Sequence, residues 1–299
     1  MLSINPSEHS VPKIHQYLLG AVGPRPIALA STIDENGNPN LSPFSFFNVF
    51  SANPPILIFS PARRGRDNTT KHTYHNAKDT REVVINVVNF DIVQQVSLSS
   101  TEYAEGVNEF VKSGLTAIES ETVKPFRVAE SPVQFECVVN EVVELGQEGG
   151  AGNLIICEVK RIHISEEILA EDGNIDQDKI DLVGRLGRDW YVRASGDALF
   201  EVEKPIRNMG IGVDTIPAVI RNSMFLSGND LGKLGNVENL PEAAEIENAA
   251  NDFDLRSILS SNADGMEKRE ELHILAKKLL DENHVIEAWK VLLQDKMAR

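Results

Sequence analysis

A basic, hydroxyl-rich cluster between residues 63 and 73 is the clearest sign of chemistry in the chain. The run RRGRDNTTKHT holds four cationic residues and three threonines, directly after an apolar run and at a predicted helix start. Lys and Arg side chains, hydroxyls and the first N–H groups of a helix are the groups that bind phosphate. The cluster is therefore a candidate phosphate cradle, with a solvated basic loop as the alternative.

The run NLSPFSFFN at 40–48 is a second candidate, because it alternates small hydroxyl and aromatic residues. In a strand, such a run offers backbone groups and hydroxyls to a flat polar ring, with aromatic side chains as walls. An ordinary strand with its phenylalanines turned inward is the alternative.

Three other chemistries find little support. The glycine-rich stretch 146–152 lies between two β-type runs, so it predicts a hairpin connection and lacks the helix that a dinucleotide fingerprint needs. His72 and His75 would share a helix face, but no third metal ligand with suitable spacing lies nearby. A GxSxG serine-hydrolase motif does not occur in the sequence.

The charge balance limits the possible partners. The 299 residues include 29 Lys+Arg and 45 Asp+Glu, a net charge of −16. This net negative charge argues against binding to nucleic acid or to an anionic membrane, because phosphate contacts need clustered Lys and Arg. It does not exclude one local phosphate site. Cys137 and Cys157 lie in apolar runs and are expected to be buried free thiols. With no apolar run of membrane-spanning length and no signal-peptide core near the N-terminus, a cytoplasmic location is expected.

The first two thirds of the chain predict many short strands and few helices, which is typical of a barrel or sandwich. The expected helices are 69–78 and 92–100, the second capped by Asp91. The expected strands are 25–33, 40–50, 56–60, 82–89, 133–145 and 154–164, with 189–193 closing the set.

The composition changes after Pro205. Residues 206–240 predict irregular chain, and the acidic stretch 230–254 predicts a solvated linker. Beyond it, apolar residues at helical spacing in 266–281 and 285–293 predict a helical hairpin. We therefore expect two parts, 1–205 and a C-terminal extension at 206–299.

The blocks GPRPIALASTIDENGNPNLSPFSFFNVFSANPPILIFS, KHTYHN, EVVINVV and DKIDLVGRLGRDWY together resemble the flavin reductase-like FMN-binding split-barrel family. They occur in the family's order and cover about residues 15–205, and residues 210–234 resemble an extension in one branch of that family. The resemblance implies a six-stranded Greek-key split barrel with a few helices, and a homodimer that holds FMN at the subunit interface.

The resemblance also implies roles for particular residues. Residues of the stretch 40–46 would line the isoalloxazine ring. Ser60 would reach the ribityl chain, and the triplet 71–73 would bind the phosphate. Arg66 and Thr70 lie in a few extra residues before the triplet, where the sequence departs from the family pattern. The sequence therefore leaves open which cations hold the phosphate. Arg185 and Tyr191 are candidates on the substrate side, and Arg25 is either functional or structural. The expected cofactor-binding set is Asn40, Leu41, Ser42, Phe44, Ser45, Phe46, Ser60, Arg66, Thr70, Lys71, His72, Thr73 and Asn76.

Two functions follow from the resemblance. One is an oxidoreductase that passes hydride from NAD(P)H to flavin. The other is an FMN-binding electron carrier or flavin store without nicotinamide activity, and an amine-oxidising relative is a weaker third hypothesis. Since the flavin itself carries such chemistry, no catalytic side chain is assigned.

Overall fold

The computed structural model describes residues 1–104, 106–205 and 209–295. The chain divides into two compact units, Met1–Phe200 and Glu201–Arg299. Within the described residues, no helix combines the length and the apolarity needed to cross a bilayer.

The first unit is mainly β. Its strands are β1 (Ala28–Ile33), β2 (Pro39–Phe44), β3 (Phe47–Ala52), β4 (Pro55–Phe59), β5 (Glu82–Val87), β6 (Ala117–Ile118), β7 (Arg127–Val128), β8 (Val133–Glu144), β9 (Asn153–Ile164), β10 (Leu182–Arg185) and β11 (Tyr191–Ala194). Its helices are α1 (Val11–Ala21), α2 (His72–Thr80), α3 (Val93–Ser99), α4 (Glu109–Ser113) and α5 (Gln177–Ile180).

Seven strands form one antiparallel sheet in the order β2-β1-β5-β8-β9-β4-β3. The two edge strands, β2 and β3, are separated in sequence only by Ser45 and Phe46, so the sheet must curl until its edges approach each other. The backbone N–H of Ser60 donates to the carbonyl of Phe46 at 2.8 Å, which continues the pairing of β3 with β4. The resemblance implied six strands, whereas the sheet has seven because the predicted strand 40–50 is divided at this junction.

Alternation along the strands separates two cores. Ala28 and Ala30 point into a cluster inside the curled sheet, and Leu29 points outward into a second cluster with residues of α3 and α4. The inner cluster includes Cys137 and Cys157, which are buried and free as predicted. The β8–β9 hairpin is also confirmed, with Gly150 at a φ of 92° in its connection.

Three local expectations differ from the structure. The segment 189–193 contributes β11, which pairs with β10 in a separate two-stranded sheet and does not extend the main one. The N-cap of α3 is Ile92, not Asp91, and no side chain caps it. Helix α1 was not predicted, and none of its residues is buried.

Glu136 on β8 anchors the loop before β7. Its fully buried carboxylate accepts hydrogen bonds from the backbone N–H groups of Glu121 at 2.9 Å and Thr122 at 2.6 Å, and His163 contacts it at 2.6 Å. Burial raises the pKa of Glu136, but these hydrogen bonds outweigh it and hold the pKa at about 2.

We expect Glu136→Gln to lower the free energy of unfolding by about 3 kcal/mol at neutral pH, because it breaks a buried charged network. The depressed pKa means that the carboxylate stabilises the fold above pH 4.5 and loses this effect as the pH falls toward 2. Urea titrations should therefore give a difference between variant and wild type that shrinks over that range. A difference independent of pH would contradict the assigned network.

The second unit contains helices and no strand among its described residues. Its helices are α6 (Ala218–Arg221), α7 (Gly228–Gly235), α8 (Ala243–Ala249), α9 (Phe253–Ser260), α10 (Gly265–Asp281) and α11 (Val285–Leu292). The helical hairpin is present as α10 and α11. The predicted linker at 230–254 is wrong, because Leu234 and Ile246 lie in the same buried cluster as Trp289. Six of its seven acidic residues are exposed, three of them within α8 and α9, a pattern that composition alone cannot tell from a linker.

Candidate functional site

Strand β2 presents two different faces. Asn40 and Phe44 are buried on the face that also carries Ser42, and the Phe44 ring packs on Phe59 inside the sheet, with ring centres 5.4 Å apart. Leu41 points the other way, into the outer cluster. Of the aromatic residues expected to form walls, Phe44 therefore belongs to the core, and Phe46, at 40% exposure, is accessible.

Helix α2 begins beside this face of β2. Lys71 is its N-cap residue, so the first N–H groups of the helix have no partner within it. The ammonium group of Lys71 lies 5.8 Å from the centre of the Phe44 ring and forms no hydrogen bond or ion pair with the described residues. Burial and the nearby Arg64 lower the pKa of Lys71, whereas Glu102 opposes the shift. Lys71 is thus a half-buried cation without a counter-ion in contact.

A buried hydrogen-bond network fixes α2 to the sheet. The side-chain amide of Asn40 donates to Thr73 Oγ1 at 2.9 Å and to Thr32 Oγ1 at 3.2 Å. Thr32 also accepts from Asn76 at 3.1 Å. Because Thr73 is 1% exposed, its main role in the structure is to lock the start of α2 against β2.

The arginines of the basic cluster are mostly engaged with their own loop. Arg63 donates to Asn68, and Arg64 donates to Thr69 Oγ1 at 3.0 Å and to the carbonyl of Thr70 at 2.9 Å. Arg66 projects from the loop with a side chain 68% exposed and pairs with Asp67 and Glu102, and its expected contact with the cofactor stays a prediction. Thr70 contacts His75 at 2.6 Å.

Two carboxylates at the site were missed by the sequence analysis. Glu109, 6% exposed at the start of α4, accepts a hydrogen bond from the backbone N–H of Leu41 at 3.1 Å. Burial raises the pKa of Glu109, and the hydrogen bond from Leu41 and the neighbouring His72 partly offset the shift. Glu102 binds Arg64 Nε at 3.2 Å. Both lie in 100–109, a segment without periodicity, so only the fold brings them to the site.

Two adjoining cavities surround the start of α2. The smaller is lined by Ser42, Lys71 and Thr73 with the segment 99–103, and the larger, about 610 Å³, by Thr70, His75 and Asn76 with the turn 34–39. Asn40 and His72 line both. The fold therefore brings together six of the expected residues at these cavities besides Ser42: Asn40, Thr70, Lys71, His72, Thr73 and Asn76.

Ser60 lies apart from both cavities. Its hydroxyl is buried without a hydrogen-bond partner among the described residues, and Gly152 leaves just enough room for it, since a Cβ there would lie 2.8 Å from the oxygen. The expected contact of Ser60 with a ribityl chain stays a prediction.

Arg25 organises the far end of β2. It is 5% exposed and donates to the carbonyls of Leu19 at 2.8 Å, Val22 at 2.6 Å and Leu186 at 2.9 Å. Its Nε reaches the Ser45 hydroxyl at 3.5 Å. Three of these contacts are hydrogen bonds to backbone carbonyls and the fourth is to a side-chain hydroxyl, which gives Arg25 a structural role at this end of β2.

The substrate-side candidates lie beside this junction. Arg185 pairs through its backbone with Arg25, and its guanidinium group stacks on the Tyr191 ring at 4.6 Å. The two candidates thus contact each other, and Arg25 links them to Ser45 just beyond β2.

His72 and His75 do not form part of a metal cluster within the described parts of the chain, where no three His, Cys, Asp or Glu side chains are grouped suitably. The cavities instead offer cations, hydroxyls and amides, a donor set that suits an anion.

A family model described as "Flavin reductase like domain" matches residues 21–179. An uncharacterized protein of Aquifex aeolicus is 38% identical over 189 residues, covering 63% of this chain and 94% of that protein. Another, from Halalkalibacterium halodurans, is 35% identical and covers 64% of this chain and 91% of its own.

Solved structures agree in fold. Nitrilotriacetate monooxygenase component B from Bacillus cereus superposes with a TM-score of 0.63 at 29% identity, over 68% of this chain and 98% of that one. A Shewanella frigidimarina protein described as a flavin reductase with a split barrel domain gives a TM-score of 0.58 at 26% identity, over 68% and 100%. Since the family match spans more than half of the 299 residues, this chain belongs to the flavin reductase-like domain family.

Proposed function

We propose that this protein binds FMN along β2 with the phosphate at the start of α2, and that it passes hydride from NAD(P)H to the flavin. The observation that carries the proposal is Lys71, a half-buried cation beside Ser42 and Thr73 that has no anion in contact. Family membership and the similarity to a monooxygenase component and a flavin reductase support the redox assignment.

The length and polarity of the site fit FMN. From Asn40 to Ser45, just beyond β2, the chain rises by about 17 Å at roughly 3.3 Å per residue. An extended mononucleotide with its phosphate at the start of α2, beside Asn40 and Thr73, would therefore place its ring near the junction of β2 and β3. The donors at the phosphate end are an ammonium group, hydroxyls and a helix start, and Phe46 offers an accessible aromatic face at the ring end.

When bound, FMN would supply the hydride and electron transfer itself. The chain would hold the phosphate through Lys71 and the start of α2, while the Asn40 network keeps that helix in place. Hydroxyl and N–H donors of the Ser42–Ser45 stretch would stabilise negative charge on the ring. Arg185 and Tyr191 would approach from the side of the second substrate.

Anaerobic mixing of FMN-loaded protein with NADH or NADPH tests the proposed activity. We expect bleaching of the flavin absorbance with at least one nicotinamide. FMN that binds but stays oxidised with both would contradict the reductase and favour an electron carrier or flavin store.

An exposed apolar surface beside the site supports a homodimer. Edge strand β3 exposes Val49 and Phe50, both at 64%, and α1 exposes Leu18 at 56%. The two elements lie together, since the ring centres of His15 and Phe46 are 6.2 Å apart. A second copy covering this surface would also enclose the ring end of the flavin site, and unpaired hydrophobic edges otherwise promote aggregation.

We expect Val49→Asp to shift the protein from dimer to monomer in sedimentation velocity, because a charge there would be desolvated in the interface. Val111→Asp is the matched control, since Val111 is 76% exposed on α4 and belongs to neither β3 nor α1. A wild-type monomer, or an unchanged dimer in Val49→Asp, would refute this interface.

A further inference from the structure

Glu102 provides an internal anion at the proposed phosphate site. Its carboxylate lines the smaller cavity with Lys71 and binds Arg64 Nε at 3.2 Å, and it also pairs with Arg66. The side chain of Glu102 is 40% exposed, so it can move without opening the core.

Arg64 is held in place independently of this ion pair. Its Nη1 donates to Thr69 and to the carbonyl of Thr70, so the guanidinium group stays beside Lys71 whether or not Glu102 is present. The Nε–H is then the group that changes partner. Carboxylate and phosphate oxygens are alternative acceptors for the same guanidinium N–H groups.

We propose that Glu102 sets the affinity of this site by competing with the phosphate of the ligand for Arg64 and Arg66, which keeps the flavin exchangeable. This inference rests on the proposed FMN site and adds a residue outside the set expected from the family resemblance. Glu102 occupies the arginines in the free protein and must release them, in part, when a phosphate binds.

The competition is expected to be moderate. Ion pairs of partly exposed side chains contribute little each, about 0.2–1 kcal/mol, so a dianionic phosphate can displace the carboxylate. The effect should be confined to ligands that carry phosphate. It should also grow as the pH rises through about 6, where the phosphate gains its second charge.

Titration of FMN and riboflavin into the full-length variants Glu102→Gln and Glu102→Ala tests the inference. We expect FMN to bind about three- to tenfold more tightly to both variants than to wild type at pH 7.5, with riboflavin unchanged. Glu171→Gln removes the same charge from an exposed residue that lines neither cavity, and should leave both affinities unchanged.

Equal or weaker FMN binding in both variants would overturn the inference and make Glu102 a support for the arginine loop. Tighter binding of riboflavin as well would also overturn it, since the competition would then not concern phosphate. Failure of wild-type protein to bind FMN is a separate outcome, because it would refute the proposed function itself.

Discussion

Replacing Lys71 by alanine should weaken FMN binding about 10- to 100-fold and leave riboflavin binding almost unchanged. A hydrogen bond to a charged group contributes about 1.5–3 kcal/mol, and Lys71 is half-buried, so solvent screens it less than a surface lysine. Fluorescence titration of both flavins measures the ratio directly. The helix should persist, since the side chain of Lys71 makes no capping hydrogen bond.

Lys71 is replaced alone because its neighbour Thr73 has a structural role. Thr73 accepts from Asn40 inside the buried network, so changing it as well would perturb the seating of α2 and confuse the result. Lys124→Ala is the control, because Lys124 is exposed and lines neither cavity. If Lys71→Ala weakened both flavins equally, the start of α2 would not be a phosphate site.

Trp289→Ala should lower the stability of the helical unit by about 3–5 kcal/mol. The indole is fully buried among α7, α8, α10 and α11, and its Nε1–H donates to the carbonyl of Leu234 at 3.0 Å. The substitution leaves both a cavity and an unsatisfied carbonyl group. Because every candidate flavin residue lies in Met1–Phe200, FMN affinity should not change.

The second tryptophan supplies the control. Trp190 is 73% exposed, so Trp190→Ala should change the unfolding free energy by less than about 0.5 kcal/mol. Thermal unfolding followed by circular dichroism at helical wavelengths distinguishes the two. Similar losses in both variants would contradict the buried position of Trp289.

Much of the first unit could be predicted because its local signals agree with its fold. Dense Val and Ile runs became β5, β8 and β9, and the glycine-rich stretch between the last two became their connection. The run at 40–50 was predicted as one strand, but its division at Ser45 and Phe46 depends on the closure of the sheet, which no local pattern encodes.

The site shows the same limit. A phosphate-binding role of Lys71 and Thr73 was expected from the basic, hydroxyl-rich run and from the family resemblance, whereas Glu102 and Glu109, which line the smaller cavity, lie where the sequence has no local signal. Arg66 was expected to bind cofactor because it is cationic and lies just before the 71–73 triplet, and in the structure it pairs with Asp67 and Glu102. Charge identifies a candidate, whereas its side-chain partners set how readily it binds a ligand.

The acidic segment 230–254 shows a different limit. Short helices with few apolar residues each can bury them only by sharing one core, as Leu234, Ile246 and Leu255 do. Within a short window, their apolar periodicity is too brief to distinguish them from a linker.

The central claim is that the chain binds FMN through its phosphate at the start of α2. Equilibrium titration of the purified wild-type protein with FMN, with riboflavin in parallel, tests it most directly. We predict saturable binding of one FMN per chain, at least tenfold tighter than riboflavin. No saturable FMN binding, or equal affinity for the two flavins, would contradict the claim.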